Sequence, residues 1–328
     1  RCHLRAALVL LASCLTASGL LAVSPGVARG ETPDVMTVEE DWELHLAAPA
    51  AVKTAPQLET VISPFGHIDS VFARTTWNYR EQPSFKPGGM QLQAWQGESH
   101  LTRTDFGSDD FSTVSETVTW TQALQTDGSV LTLRISNGQS VTWGAFGGTS
   151  LTLQGVVNLP HLNAYSTTVS ASNSGITVGG NRVLALRIKE VRRYDAAGNL
   201  IGFTDFKGQE QSFIYDSRNR LIAATDAEGN RTSYEYDVTS NLIAQIDAAG
   251  NRTQFQYDLA GRMIKVTDAL GGVQSFTYDA TGNQIGQTDQ NGNTISYEYD
   301  VLGRMVRLID PYGAATKIKY NHMGKPVE

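Results

Sequence analysis

The sequence predicts an all-β protein in two parts. A β-sandwich of jelly-roll-like form occupies residues 31–190, and an antiparallel array of β-hairpins occupies residues 191–328 as part of a curled sheet or shell. Three observations predict this. Residues 191–328 keep a strict period of 21 residues built from Tyr, Asp and Gly. Residues 31–190 contain short runs of alternating apolar and polar residues, separated by Gly- and Asn-rich turns. No convincing helical pattern interrupts those runs.

Composition bounds the rest. The chain has 328 residues, 41% hydrophobic and 18% charged, which is the balance of a folded globular protein. Its net charge of -7 argues against a nucleic-acid partner, which needs a concentrated Lys/Arg face. The cysteines, Cys2 and Cys14, both lie in the first 14 residues, so a disulfide framework and a Cys-based zinc site are excluded downstream. No motif calls for a cofactor.

Residues 1–30 read as an export signal. Arg1, His3 and Arg5 open it, Ala6 to Val23 form an apolar run, and Gly26-Val27-Ala28 supplies small residues for cleavage near Ala28. Lipid attachment at Cys14, after Leu11-Ala12-Ser13, is the alternative. An uncleaved anchor is a third reading, and no later segment is apolar enough to span a membrane. The expected location is therefore secreted or cell-surface. The chain opens without Met and closes on Asn321 to Pro326, which resembles the start of another unit. We expect a piece of a longer reading frame, with further repeats of its own chain as partners.

In the middle region the strand candidates are Met90–Trp95, Thr117–Trp120, Val130–Ile135, Ser140–Trp143, Ser150–Leu153 and Arg182–Ile188. Turn signals stand at Gly88-Gly89, Asp127-Gly128, Asn137-Gly138, Gly147-Gly148 and Gly179-Gly180. Short strands at such spacing suggest a sandwich. Residues 32–57 read as a linker plus a first strand. Trp77, Trp95, Trp120 and Trp143 are candidate stacking platforms for carbohydrate or a cell-envelope polymer. Core filling is the competing reading for each.

The repeat is carried by Tyr194-Asp195, Tyr215-Asp216, Tyr236-Asp237, Tyr257-Asp258, Tyr278-Asp279 and Tyr299-Asp300, each 21 residues after the last. A second ladder, Gly208, Gly229, Gly250, Gly271, Gly292 and Gly313, keeps the same step, as do aspartates from Asp205 to Asp310. Each unit holds two Asp-x-x-Gly turns. Asp accepts a hydrogen bond from its own backbone two residues on, and Gly adopts the left-handed conformation that closes the turn. Between turns lie six or seven residues, one strand's length. Tyr234 and Tyr236, or Phe255 and Tyr257, share a face, and Ile222, Ile243, Ile264 and Ile285 mark the neighbouring strand. One hairpin is unstable alone, so about six units stabilise one another by stacking.

The unit read from Tyr257, Tyr-Asp-x-x-Gly-Arg-Met-Ile-x-x-Thr-Asp-x-x-Gly-x-x-x-x-Phe-x-Tyr, resembles the YD repeat of the RHS family. That family includes bacterial RHS and wall-associated proteins, the large subunits of insecticidal toxin complexes, and teneurins. The resemblance covers residues 194–328 and implies a sheet that spirals into a hollow shell. In many bacterial members the shell encloses a C-terminal toxin behind a self-cleaving segment, which nothing in this chain matches.

Chemistry is sparse. Glu39-x-Asp41-x-Glu43 resembles the acid trio of some jelly-roll β-glucanases, but its place near the start of the mature chain favours a solvated edge strand. The nucleophile-elbow, zinc-protease and phosphate-loop motifs are absent. Asp109-Asp110 reads as a polar loop rather than a Ca²⁺ site, and the repeat aspartates read as turn caps rather than metal ligands. Asn230-Arg-Thr and Asn251-Arg-Thr match a glycosylation acceptor but also follow the repeat consensus. The expected function is a non-enzymatic structural or adhesive scaffold. The alternatives are the front of a polymorphic toxin shell and a glycoside hydrolase in the sandwich.

Overall fold

A computed structural model describes residues 33–47, 57–63, 71–77, 90–96, 98–106, 115–141, 150–163, 166–172 and 183–327. The leader, with Cys14 and Ala28, and the Asp109-Asp110 pair lie outside the described residues. No helix among the described residues is long and apolar enough to cross a membrane. The chain divides into two compact units, residues 1–214 and 215–328.

The first unit contains β1 (Thr37–Leu46), β2 (Gln57–Ser63), β3 (Val71–Trp77), β4 (Met90–Gln96), β5 (Ser99–Phe106), β6 (Glu116–Thr126), β7 (Gly128–Gln139), β8 (Ser150–Leu159), β9 (Ser166–Ser172), β10 (Val183–Tyr194), β11 (Leu200–Asp205) and β12 (Glu210–Tyr215). One antiparallel sheet pairs β8-β7-β6-β1-β10-β11-β12. The other pairs β5-β4-β3-β2-β9. The chain changes sheets before β2, β6, β9 and β10, as a sandwich of jelly-roll type requires. The first repeat hairpin, β11–β12, extends the sheet directly from β10.

Both sheets bury alternate residues against a shared core. Strand β1 turns Val38, Trp42, Leu44 and Leu46 inward. Leu124, Leu133 and Leu153 join them from the same sheet, and Ile62, Ala73, Leu92 and Ala94 face them from the other. At Gly155 the sheets come close. A Cβ there would stand 3.6 Å from the Ala94 methyl. A polar stitch crosses the core: Thr60 and Thr75 donate to Gln122 Oε1 at 2.7 and 3.0 Å. These bonds satisfy a buried carbonyl that would otherwise destabilise the sandwich.

Two expectations change here. Strand β1 is central, paired on one side with β10 and on the other with β6, not a solvated edge. Long-range pairing decides this, and local composition does not record it. Asn137-Gly138 is not a hairpin turn but lies inside β7. Asn137 takes φ 53° beside a register shift opposite Thr119/Thr121, and its amide donates to Thr121 Oγ1 at 3.1 Å. The left-handed residue makes a bulge that the strand absorbs.

The second unit is a meander of β13 (Leu221–Thr225), β14 (Arg231–Tyr236), β15 (Leu242–Ile246), β16 (Arg252–Tyr257), β17 (Met263–Thr267), β18 (Val273–Tyr278), β19 (Gln284–Thr288), β20 (Thr294–Tyr299), β21 (Met305–Ile309) and β22 (Ala315–Lys317). Each strand pairs with the next. A short hairpin of β23 (Lys319–Tyr320) and β24 (Pro326–Val327) follows. Ile318 separates β22 from β23, and its amide donates to Val306 O at 2.9 Å.

The turns form as their sequence dictates. Asp258 Oδ1 accepts the amides of Ala260 and Arg262 at 2.9 and 3.0 Å, and Gly261 N donates back to Asp258 O at 3.0 Å. Gly261 has φ 76°, and the ladder from Gly208 to Gly313 lies between 79° and 86°. This is a three-residue hairpin loop, a type I turn closed by a left-handed residue that starts a bulge. The matching shift appears between Gln256 and Tyr257.

Candidate binding site

The outer face of the five-stranded sheet gathers a mixed aromatic and polar group. Cross-strand register sets Phe72 beside Trp95, Arg74 beside Gln93, and Trp95 beside His100. Their neighbours Ala73 and Ala94 point into the core, so alternation sends this group outward. Phe72 and Trp95 are parallel, 6.1 Å apart with an interplanar angle of 5°. His100 meets Trp95 edge-on at 4.8 Å. The Arg74 guanidinium sits 5.2 Å from the Trp95 ring centre and donates through Nε to Gln93 Oε1 at 2.6 Å, with Nη2 on the same oxygen. Trp95 Nε1 also donates to Gln93 Oε1, at 3.3 Å. The arrangement holds a half-buried indole among Phe72, Arg74 and His100, with its N–H on the Gln93 amide oxygen.

The other expected tryptophans part company with Trp95. Trp120 is 2% exposed and lies parallel to Trp42 at 5.8 Å, so no ring face is left for a ligand. Register opposes the two on β6 and β1, inside the sandwich. Trp77 stands on β3, and nothing is described of its side chain. Trp143 lies outside the described residues. Phe72, Arg74, Gln93 and His100 escaped sequence reasoning, because only strand pairing brings residues so far apart together. The Arg-x-x-x-x-x-x-x-x-x-x-x-x-x-x-x-x-x-x-Gln interval carries no local signal.

On the outer face of the larger sheet the acid trio is ion-paired. Arg192 donates to Asp41 through Nη1 and Nη2 at 3.0 and 3.2 Å and reaches Glu39 at 3.4 Å. Thr121 and Tyr194 donate to Asp41 and Glu39 at 2.7 and 3.2 Å. Glu43 meets His45 at 2.7 Å and accepts Arg187 Nε at 2.8 Å. Those two hydrogen bonds, His45 first, hold the Glu43 carboxyl below its usual range. Glycoside hydrolysis needs a carboxyl held protonated, so its pKa must move the other way. Burial, with Glu39 beside it, pushes the Tyr194 phenol up.

In the second unit, repeat Tyr hydroxyls from Tyr236 onward are fixed to the backbone 15 residues earlier. Tyr236, Tyr257, Tyr278 and Tyr299 donate to the carbonyls of Leu221, Leu242, Met263 and Gln284 at 2.7–2.9 Å. Asp216, Asp237, Asp258, Asp279 and Asp300 each accept backbone amides at their turns. Asp195 does the same in the first unit, where Tyr194 pairs through the sandwich sheet, and Tyr215, the first residue of the second unit, ends β12. These residues build the scaffold itself.

A β-sandwich followed in the chain by repeating YD hairpins defines the class of protein. The family model of the teneurin YD-shell matches residues 131–328. The chain belongs to that family. The match reaches back through β7 to β10, well before the first Tyr-Asp pair at 194. No curated protein matches the sequence. Among solved structures, the chain is similar to a TcdB2-TccC3-TEV crystal structure at 13% identity and TM-score 0.37, covering 79% of this chain and 14% of that one. A Photorhabdus luminescens Tc holotoxin pore gives 14% identity and TM-score 0.29, covering 79% and 15%. A Scytalido-glutamic peptidase gives 9% identity and TM-score 0.29, covering 58% and 87%. At these scores none of the three carries an argument about activity. The chain spans only about 14% of the first Tc toxin chain it resembles.

Proposed function

We propose that this chain is part of an exported or cell-surface scaffold of the RHS type, with the sandwich as its adhesive module. The repeat array supplies wall, and the sandwich binds a carbohydrate or cell-envelope polymer without turning it over. The observation that carries this reading is the parallel Phe72–Trp95 pair on the outer sheet face, flanked by Arg74, Gln93 and His100. The ion-paired state of Glu39, Asp41 and Glu43 supports the non-catalytic part. The test is binding of the full chain to a broad glycan and cell-wall-polymer panel. Trp95→Ala should abolish saturable binding while the fold is kept. Binding unaffected by that substitution, or hydrolysis of any bound glycan, refutes the reading.

Membership of the YD-shell family favours a second role, as wall of a shell around an effector. Reading the gene beyond residue 328 tests it. A run of further repeats ending in a self-cleaving segment and a variable domain is the expected result for that role.

A further inference from the structure

The fourth residue after each repeat aspartate alternates along the chain: Asn199, Arg220, Asn241, Arg262, Asn283, Arg304. The alternation doubles the period to two units. Where arginine occupies the position, it joins its own turn to the next one. Arg262 donates through Nε to Asp258 Oδ2 at 2.7 Å, through Nη1 to the Asp279 carbonyl at 3.0 Å, and lies 4.8 Å over the Tyr278 ring. Arg220 repeats this with Asp216, the Asp237 carbonyl and Tyr236. Arg304 covers Tyr320 at 4.6 Å. The chain thus shows, three times, how this edge holds a guanidinium.

Where asparagine occupies the position, the receptor remains and the guanidinium is missing. Asn241 reaches only its own turn, donating to Asp237 Oδ2 and Thr239 Oγ1 at 2.9 Å each. Asn283 does the same with Asp279 and Thr281. Among the described residues no cation lies over Tyr257 or Tyr299. Beyond Asn241 opens a cleft of about 700 Å³, lined by Asp237, Asn241, Phe255, Tyr257, Asp258 and Leu259. Leu259 stands fully exposed at its rim, and Val301 takes the equivalent place one double unit later. Asp237 and Asp279 are ionised, and neither has an arginine in its own turn.

We infer that the Asn241 and Asn283 turns are paired receptors for arginine side chains of a partner polypeptide. The incoming guanidinium takes the place that Arg220, Arg262 and Arg304 fill from within. It stacks on Tyr257 or Tyr299, faces the Asp237 or Asp279 carboxylate, and donates to the carbonyl of the following aspartate. The chain's net charge of -7 complements a basic partner. The two receptors are four strands apart, about 19 Å at sheet spacing, and six residues of extended peptide cover about 20 Å. The partner therefore presents arginines about six residues apart along an extended segment.

The test is fluorescence anisotropy of the full chain with a labelled Gly/Ser/Thr peptide carrying two arginines six residues apart, at low salt. We expect it to bind about 100-fold more tightly than the single-arginine peptide. Asn241→Arg fills one receptor from within and should remove that advantage, with the β-sheet circular dichroism unchanged. Tyr257→Leu should do the same without adding charge, and Asn283→Arg reads the second receptor. Unchanged affinity in Asn241→Arg and Tyr257→Leu overturns the inference, as does equal binding of a peptide with glutamine in place of arginine. Trp95→Ala must leave peptide binding intact, so failure here and failure of the glycan reading are distinguishable.

Discussion

Trp120 and Trp95 should respond to truncation in opposite ways. Trp120 is 2% exposed and parallel to Trp42, itself 1% exposed. Replacing a buried Trp with Ala removes its transfer free energy and leaves a cavity, a loss of about 3–5 kcal/mol. The parallel ring contact lies within the range where aromatic pairs add about 0.5–1.5 kcal/mol beyond area. The larger cost is a sizeable part of a typical domain stability of about 5–15 kcal/mol. For a unit of this size each kcal/mol shifts the melting temperature by about 2–4 °C, so Trp120→Ala should melt roughly 6–20 °C lower. Trp95→Ala removes a half-buried ring from an outer face and should shift melting far less, while abolishing saturable glycan binding. Thermal melts by near-ultraviolet circular dichroism, paired with glycan titrations on the same samples, read both quantities. If Trp120→Ala melts with the parent while losing glycan binding, the assignment of Trp120 to the core is refuted.

The other predictions concern the array and the acid trio. Asp237 and Asp279 are held down to about 2, Asp279 chiefly by the Asn283 hydrogen bond, and Asp237 by Asn241 and Thr239 against the opposing effect of burial. Folded carboxyls lie below the unfolded value of about 3.9, so the array's stability is complete above pH ~4 and falls as pH drops toward ~2. Circular dichroism should therefore be flat from neutral pH down to about 4, and loss of sheet already at pH ~6 would sink this. Gly261 has φ 76°, yet Ser240 and Asn219 hold φ 71° and 60° at equivalent turns. Gly261→Asn should be nearly neutral in chemical denaturation, and Gly261→Val should cost about 1–2 kcal/mol, since a branched side chain resists that backbone. Tyr278→Phe removes the bond to the Met263 carbonyl, 2.7 Å long, and should lower stability by about 0.5–1.5 kcal/mol in the same assay. Glu43→Gln weakens the contacts to His45 and Arg187. We expect a lower melting temperature and no glycan turnover by either protein, and turnover by the parent that this substitution abolishes would restore the hydrolase reading.

The array was legible from sequence because its information is local. Asp-x-x-Gly closes each turn within five residues, and a fixed period leaves the chain one pairing, each strand with the next. Tyr257 and Asp258 could be assigned structural roles without coordinates for that reason. Even the Asn/Arg alternation at 241 and 262 stands in the sequence, although its meaning does not. Only the structure shows Arg262 reaching the next turn and Asn241 leaving a cleft.

The sandwich was legible as a class and not as an arrangement. Alternation in Thr37–Leu46 marks a strand with two faces, but it cannot say that β6 and β10 flank it. Its burial is settled by partners about 80 and 150 residues away, and no short-range signal records them. The same holds for the tryptophans. Composition alone counts Trp95 and Trp120 as equals, whereas sheet packing turns one outward beside Arg74 and encloses the other against Trp42. Sequence by itself determined the all-β class, the hairpin turns and the period. Tertiary structure alone decided which strands are central, which aromatics are core and which lie on an outer face, because those depend on contacts between residues that sequence keeps far apart.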